Sequence, residues 1–267
     1  MLSLFLYCTD AEKDLLSSAL WDTGTTGIVE RDRPGGIELQ AFFDSEIPVA
    51  AFAAHNPHWQ EEAPTDWVRV FEDSWQPFEV GARFYLVPEW RGDPAPSGRL
   101  RLAIHPGRAC GTGWHPATQL SLLALERELA AGDRVLDLGT GSGILAEAAL
   151  LLGASKVIAC DIDFEAVTVA RRNLESCLER VALFAGSVRS IAEQSVDLAV
   201  ANINAETIVA VLPALARIAK LRIVLTGFPE RDLPRVRTAL PTALCETGLL
   251  EQDGWVCLTL AHRAPVQ

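Results

Sequence analysis

Residues Val135-Leu136-Asp137-Leu138-Gly139-Thr140-Gly141-Ser142-Gly143-Ile144-Leu145 read as an apolar strand, a glycine turn and the first turn of an apolar helix. Asp137 stands just ahead of the glycines and Asp161 one strand-helix unit later. A strand that feeds a helix through glycine, followed by the regular strand-helix alternation from Arg134, implies a parallel sheet with helices on both faces.

The charge pattern selects the ligand of such a turn. A glycine turn that opens a helix normally offers backbone N–H groups and the positive helix end to a phosphate. Asp137 falls where that phosphate would sit, so a carboxylate at the mouth of the crevice is expected to repel a diphosphate and to favour a cationic group. The glycines follow Gly139-x-Gly141-x-Gly143, with Ile144 in the sixth position, whereas a dinucleotide fingerprint needs Gly-x-Gly-x-x-Gly. S-adenosylmethionine, which carries both an ammonium and a sulfonium, fits this pattern, with Asp137, Gly139 and Gly141 on its binding loop. Asp161 follows the second strand and is placed to accept hydrogen bonds from ribose hydroxyls, because Asp163 holds the better position for capping the next helix.

From Arg134 onward the chain alternates strands and helices. Strands are expected at 135–138, 157–160, 181–185, 196–201 and 222–226, closed by a pair near 245–251 and 255–260 with no strong helix between them. That last pair implies an antiparallel hairpin on a mostly parallel sheet, unlike the all-parallel dinucleotide fold. Ahead of it, Gly111-Thr112-Gly113-Trp114-His115-Pro116-Ala117-Thr118 reads as a second glycine loop that feeds a helix over 119–131.

Residues 1–62 read as a small α+β unit, and residues 63–267 as a connecting segment plus the larger domain. Leu2–Cys8 alternates as a strand, and Thr9-Asp10-Ala11-Glu12 is a capping box for a helix carrying Leu15, Leu16, Ala19 and Leu20. Strands at 28–31 and 37–43 flank the Pro34-Gly35-Gly36 turn, and a short helix is expected over 48–54. The order suggests a ferredoxin-like half or fragment. The polar stretch 55–66 is expected to be a linker.

Composition narrows the partners. A formal net charge of −12 opposes nonspecific attraction to nucleic acid and suits a basic partner. No apolar run approaches the length of a membrane span, and the N-terminus lacks a basic leader, so a cytoplasmic protein is expected. The six cysteines contain no CxxC pair and read as buried free thiols. His55 and His58 have no third ligand near them in sequence, so no metal is expected. Trp67, Trp75 and Trp90 read as packing between the domains ahead of a binding platform, and His115 reads as a surface or packing residue of the loop ahead of a general base.

Asn202-Ile203-Asn204 ends the fourth strand of the alternating region and faces the same crevice. Methyl transfer is an in-line displacement in which the protein chiefly supplies alignment, and the Asn202 carbonyl could orient an amine or the cofactor. Asn202 is therefore the candidate catalytic residue. The prolines of an Asn-Pro-Pro-aromatic motif are missing here, which disfavours planar amides and base amines as acceptors.

Taken together, Trp67 to Trp90, His105-Pro106-Gly107, Gly111-Thr112-Gly113-x-His115-Pro116-x-Thr118, Asp137-Leu138-Gly139-x-Gly141-Ser142-Gly143-Ile144-Leu145, Asp161-Ile162-Asp163 and Ala201-Asn202-Ile203 resemble the PrmA-type methyltransferases that act on large-subunit ribosomal protein eleven. The resemblance implies a Rossmann-like class I methyltransferase domain behind a small ferredoxin-like substrate-recognition domain. It also implies S-adenosylmethionine contacts at Thr118, Gly139, Asp161 and Asn202, and lysine or N-terminal amines of a ribosomal protein as acceptors. Cys110, Trp114 and Asn204 depart from the family pattern, and the N-terminal region is shorter. Methylation of another protein lysine or a small amine, a noncatalytic cofactor-binding module and a nicotinamide oxidoreductase are the competing readings.

Overall fold

The computed structural model describes residues 2–61, 75–105 and 113–263. The chain divides into two compact units, Met1–Ser74 and Trp75–Gln267.

The first unit is built on strand β1 (Leu2–Cys8), helix α1 (Asp10–Asp22), strands β2 (Gly27–Arg33) and β3 (Gly36–Phe43), a 3-10 segment at Ala50–His55, and strand β4 (His58–Glu61). Thr9 starts α1 through its capping box. The Glu12 carboxylate accepts from the Thr9 N–H at 3.0 Å and from its hydroxyl at 2.6 Å. All neighbouring strands are antiparallel, in the order β2-β3-β1-β4. This is a complete ferredoxin-like sheet, with the expected helix over 48–54 reduced to the 3-10 segment. Leu4, Leu6, Leu16, Leu20, Leu39 and Phe52 form its core.

The fourth strand falls where the sequence predicts a linker. Its four residues are too few to show a period, and as an edge strand it pairs on one side only, with Leu2–Phe5. Side chains hold it there: His58 stacks on Phe5 with ring centroids 5.0 Å apart, and Trp59 meets Phe43 edge-on at 5.5 Å. The rest of the expected linker, from residue 62, lies outside the described residues.

The second unit opens with a three-stranded sheet, β5 (Phe78–Val80), β6 (Phe84–Pro88) and β7 (Leu100–Ile104), followed by helix α2 (Pro116–Glu128). Then come β8 (Arg134–Leu138), α3 (Ile144–Leu151), β9 (Lys156–Asp161), α4 (Phe164–Asn173), β10 (Val181–Ala185), β11 (Val196–Asn202), α5 (Ala205–Ile218), β12 (Ala219–Pro229), α6 (Leu233–Thr238), β13 (Leu244–Gln252) and β14 (Trp255–His262). The seven strands from β8 to β14 form one sheet in the order β10-β9-β8-β11-β12-β14-β13. Strands β8 to β12 pair in parallel, and β14 runs antiparallel to both β12 and β13. The predicted closing hairpin is therefore present, with its second strand inserted inside its first.

Both faces of this sheet are covered, which explains why its strands read as apolar runs rather than alternations. Val135, Val157, Leu198 and Val200 pack with α2 and α3 residues such as Leu125, Leu145 and Ala149. Leu136, Ala199, Ile223 and Leu258 pack on the other side with Ile208, Leu212 and Leu215 of α5.

Helix α2 begins three residues before its predicted start. His115 caps it and Pro116 occupies its first turn, where a missing N–H costs nothing. Thr118 therefore lies in the helix and not in the loop.

Candidate active site

Chain order reverses between β8 and β11, and the crevice beyond their carboxyl ends is where an open α/β sheet binds its ligand. Gly139, Gly141 and Gly143 turn the chain from β8 into α3 with φ of +73°, +54° and +87°, a region closed to most side chains. The turn is held from β9. The N–H groups of Gly139 and Thr140 donate to the Cys160 carbonyl at 2.8 and 3.0 Å, and the Gly141 N–H donates to Asp161 Oδ2 at 3.0 Å. Three successive amides that could cradle a phosphate are thus already committed.

Asp161 is half-buried, and its Oδ1 accepts from the Asp163 N–H at 3.0 Å. Asp163 in turn caps α4 by accepting from the Glu165 N–H at 2.8 Å. Each Asp161 oxygen keeps lone-pair capacity beyond its single backbone donor. Ile162 and Phe164 flank it with exposed side chains.

Asp137 does not stand at the mouth of the crevice. It is fully buried beneath the turn, where Thr140 folds over it and donates its hydroxyl to Oδ2 at 2.7 Å. Oδ1 has no hydrogen-bond partner among the described residues. Burial pushes the carboxyl up to about 6, against the pull of the Thr140 hydroxyl. The expected acidic rim is corrected on this point: Asp137, the penultimate residue of β8 and two positions before Gly139, points into the layer under the loop. The bar to a diphosphate falls instead to the committed amides.

On the other wall, Thr118 and Asn202 come together. Thr118 is buried in the first turn of α2, and Asn202 ends β11 with its Nδ2 3.4 Å from Thr118 Oγ1. The Ile203 N–H donates to the Thr226 carbonyl at 3.0 Å, and Asn204 caps α5 by accepting from the Thr207 N–H at 2.9 Å. Of the predicted site residues, then, Gly139, Gly141 and Asp161 share one hydrogen-bonded turn. Asp137 lies under it, and Thr118 and Asn202 form a pair.

His115 acts as a cap: Nδ1 accepts from the Ala117 N–H at 3.2 Å, and the ring meets Trp255 edge-on at 4.4 Å. Trp114 packs on Phe78 at 4.2 Å and meets Trp75 at 5.8 Å, so Trp75 packs within the second unit. Trp67 and Gly111-Thr112 of the second glycine loop lie outside the described residues.

The sequence reading missed Gly227. Its φ is +91°, and a Cβ there would lie 2.5 Å from Ile203 N and 2.8 Å from the Asn202 carbonyl carbon. A glycine directly after the predicted strand 222–226, and within what proves to be β12, is the signal that could have found it.

Residues 38–263 match the family model described as ribosomal protein L11 methyltransferase (PrmA). The chain belongs to this family. A ribosomal protein L11 methyltransferase of Bordetella parapertussis is 34% identical over an alignment that covers 97% of this chain and 98% of the relative. Another from Azotobacter vinelandii is 36% identical, covering 88% and 83%. Among solved structures, a ribosomal protein L11 methylase from Lactobacillus delbrueckii subsp. bulgaricus superposes with a TM-score of 0.65 at 30% identity, over 71% of this chain and all of that one. The larger unit of this PrmA member accordingly has the Rossmann-like class I methyltransferase fold, and a small α+β unit precedes it in the chain.

Proposed function

We propose that the chain is an S-adenosylmethionine-dependent protein methyltransferase whose acceptors are lysine side-chain and N-terminal amines of ribosomal protein L11. The observation that carries this reading is the commitment of the Gly139, Thr140 and Gly141 amides to Cys160 and Asp161, which leaves a glycine turn that suits a donor without a diphosphate. The donor set fits the cofactor. Asp161 offers carboxylate lone pairs to ribose hydroxyls, with the apolar surfaces of Ile162 and Phe164 beside it for the base. Gly139 and Gly141 keep side chains out of the crevice, and Asp137 supplies negative charge from below.

When bound, S-adenosylmethionine supplies a methyl group on a positively charged sulfur. Thr118 and Asn202, hydrogen-bonded to each other, would hold the reacting end. With its amide N–H directed at Thr118, Asn202 keeps its carbonyl to accept from the incoming amine and to orient the lone pair in line with the methyl group.

Residues 1–62 carry eleven Asp/Glu against three Lys/Arg, which supports their use as the recognition domain for a basic ribosomal protein in the cytoplasm. Residues 63–267 then carry the linker and the transferase. Mass spectrometry of L11 after incubation with enzyme and cofactor tests the proposal, and one-methyl increments on lysine or the N-terminus are expected. An unmodified L11, with cofactor binding demonstrated by calorimetry, would refute the acceptor.

A further inference from the structure

Asn202 stands on a turn clamped from two sides by glycines distant in sequence. On one side a Cβ at Gly139 would collide with Ile203 Cγ2, so the Ile203 γ-methyl rests directly on the glycine turn. On the other, a Cβ at Gly227 would lie 2.5 Å from Ile203 N, 2.6 Å from its carbonyl oxygen and 2.8 Å from the Asn202 carbonyl carbon. Real Cβ atoms do not approach backbone so closely. The backbone is also pinned lengthwise, at the front by the Ile203 N–H on the Thr226 carbonyl and behind by the Asn204 cap of α5. Glycine turn, Ile203 and β12 form a stack with no slack.

We infer that Ile203 and Gly227 are positioning residues that set the separation between the glycine turn and Asn202. The spacer is the single γ-methyl on the β-carbon of Ile203, and the bare α-carbon of Gly227 lets the turn sit low enough for Asn202 to reach Thr118. The inference rests on the role proposed above for Asn202, but its geometry can be read without turnover.

Two substitutions separate positioning from plain packing. Ile203→Val keeps the γ-methyl that touches Gly139 and loses one methylene, whereas Ile203→Leu keeps the full volume and removes that methyl from the β-carbon. If Ile203 only fills space, leucine is the milder change. If it is a spacer, valine is. We expect Ile203→Val to stay within roughly twofold of the parent kcat and Ile203→Leu to fall about tenfold to a hundredfold at saturating donor and acceptor, the scale of a small misplacement. The melting temperature of the leucine variant should be no lower than that of the valine variant. In protein labelled with nitrogen-15 at asparagine, the Asn202 side-chain amide resonance, assigned by its loss in Asn202→Asp, should move in the leucine variant and stay in the valine variant.

Gly227→Ala should displace the same resonance and lower kcat while donor binding by calorimetry persists. If that variant does not fold, the Ile203 pair still decides. An unmoved Asn202 resonance in Ile203→Leu overturns the inference, as does a kcat that follows melting temperature across the two Ile203 variants. Failure of the parent enzyme to methylate L11 would count against the proposed function and leave the resonance test standing.

Discussion

Asn202 Nδ2 and Thr118 Oγ1 lie 3.4 Å apart across 84 positions of sequence, one at the end of a central strand and the other in the first turn of the helix that covers it. The pair joins the segment ahead of the glycine turn to the strand on its far side. It also fixes the amide orientation, because an N–H directed at the hydroxyl leaves the Asn202 carbonyl for another donor.

Thr118→Val tests this orientation. Valine has nearly the same shape as threonine, and residue 118 is only 2% exposed, so packing is retained and one acceptor is lost. A net loss on the scale of one hydrogen bond, about 1 kcal/mol, corresponds to a turnover reduction of roughly fivefold. Steady-state kinetics with both substrates saturating measures it, and an unchanged kcat would remove the hydroxyl from the site.

Asp161→Ala should weaken S-adenosylmethionine binding by about 1–3 kcal/mol, the range for losing hydrogen bonds to a charged group. The substitution also frees the Gly141 and Asp163 N–H groups, so the turn itself loosens. Asp161→Asn keeps an acceptor oxygen and should fall between the parent and alanine. Isothermal calorimetry gives all three values, and equal affinity in the alanine variant would contradict a ribose contact at this position.

Much of the larger unit could be read from the chain because its strands are buried on both faces. Val157–Cys160 appears as an unbroken apolar run and forms the interior of β9, which is paired on both sides. Segments whose structure depends on distant partners were not legible. His58–Glu61 is a strand only because β1 is there to pair with it, and His115-Pro116 starts a helix that looks like loop when read from its glycines. The same holds within the site. Glycine and acid spacing marks the turn, but the depth of Asp137 depends on Thr140 folding over it, and the Gly139–Ile203–Gly227 stack spans three strand ends. No local pattern encodes contacts of that kind.

Thiol reactivity should follow burial. Cys160 and Cys257 are fully buried, and burial pushes both thiols up to about 12, aided by Asp137 at the first and Glu128 at the second. At pH 8 their thiolate fraction is then about one in ten thousand. Cys245 is only half-buried, with its Sγ directed at the Ala261 carbonyl at 3.6 Å. Timed iodoacetamide labelling with peptide mass analysis should modify Cys245 before Cys160 and Cys257 in the native protein, and all three together in denaturant. Early labelling of Cys160 would contradict its place under the glycine turn.

The stability of the protein should decline from acid toward neutral pH through Glu147, in the first turn of α3. Burial pushes its carboxyl from 4.5 up to about 7, and Arg101 only partly opposes the shift. Below about pH 4.5 the group is protonated in both folded and unfolded chains and favours neither. As pH rises, the unfolded chain ionises first, so stability is lost progressively until the folded group also ionises near pH 7. The loss is on the order of 1–3 kcal/mol. Asp137, raised to about 6, adds a loss of the same sign that ends lower in pH. Glu147→Gln cannot ionise and should therefore gain stability over the parent at pH 8 and little at pH 4.5. Denaturant melts of both proteins at the two pH values measure the difference, and a gain of equal size at both would mean that Glu147 does not titrate on unfolding.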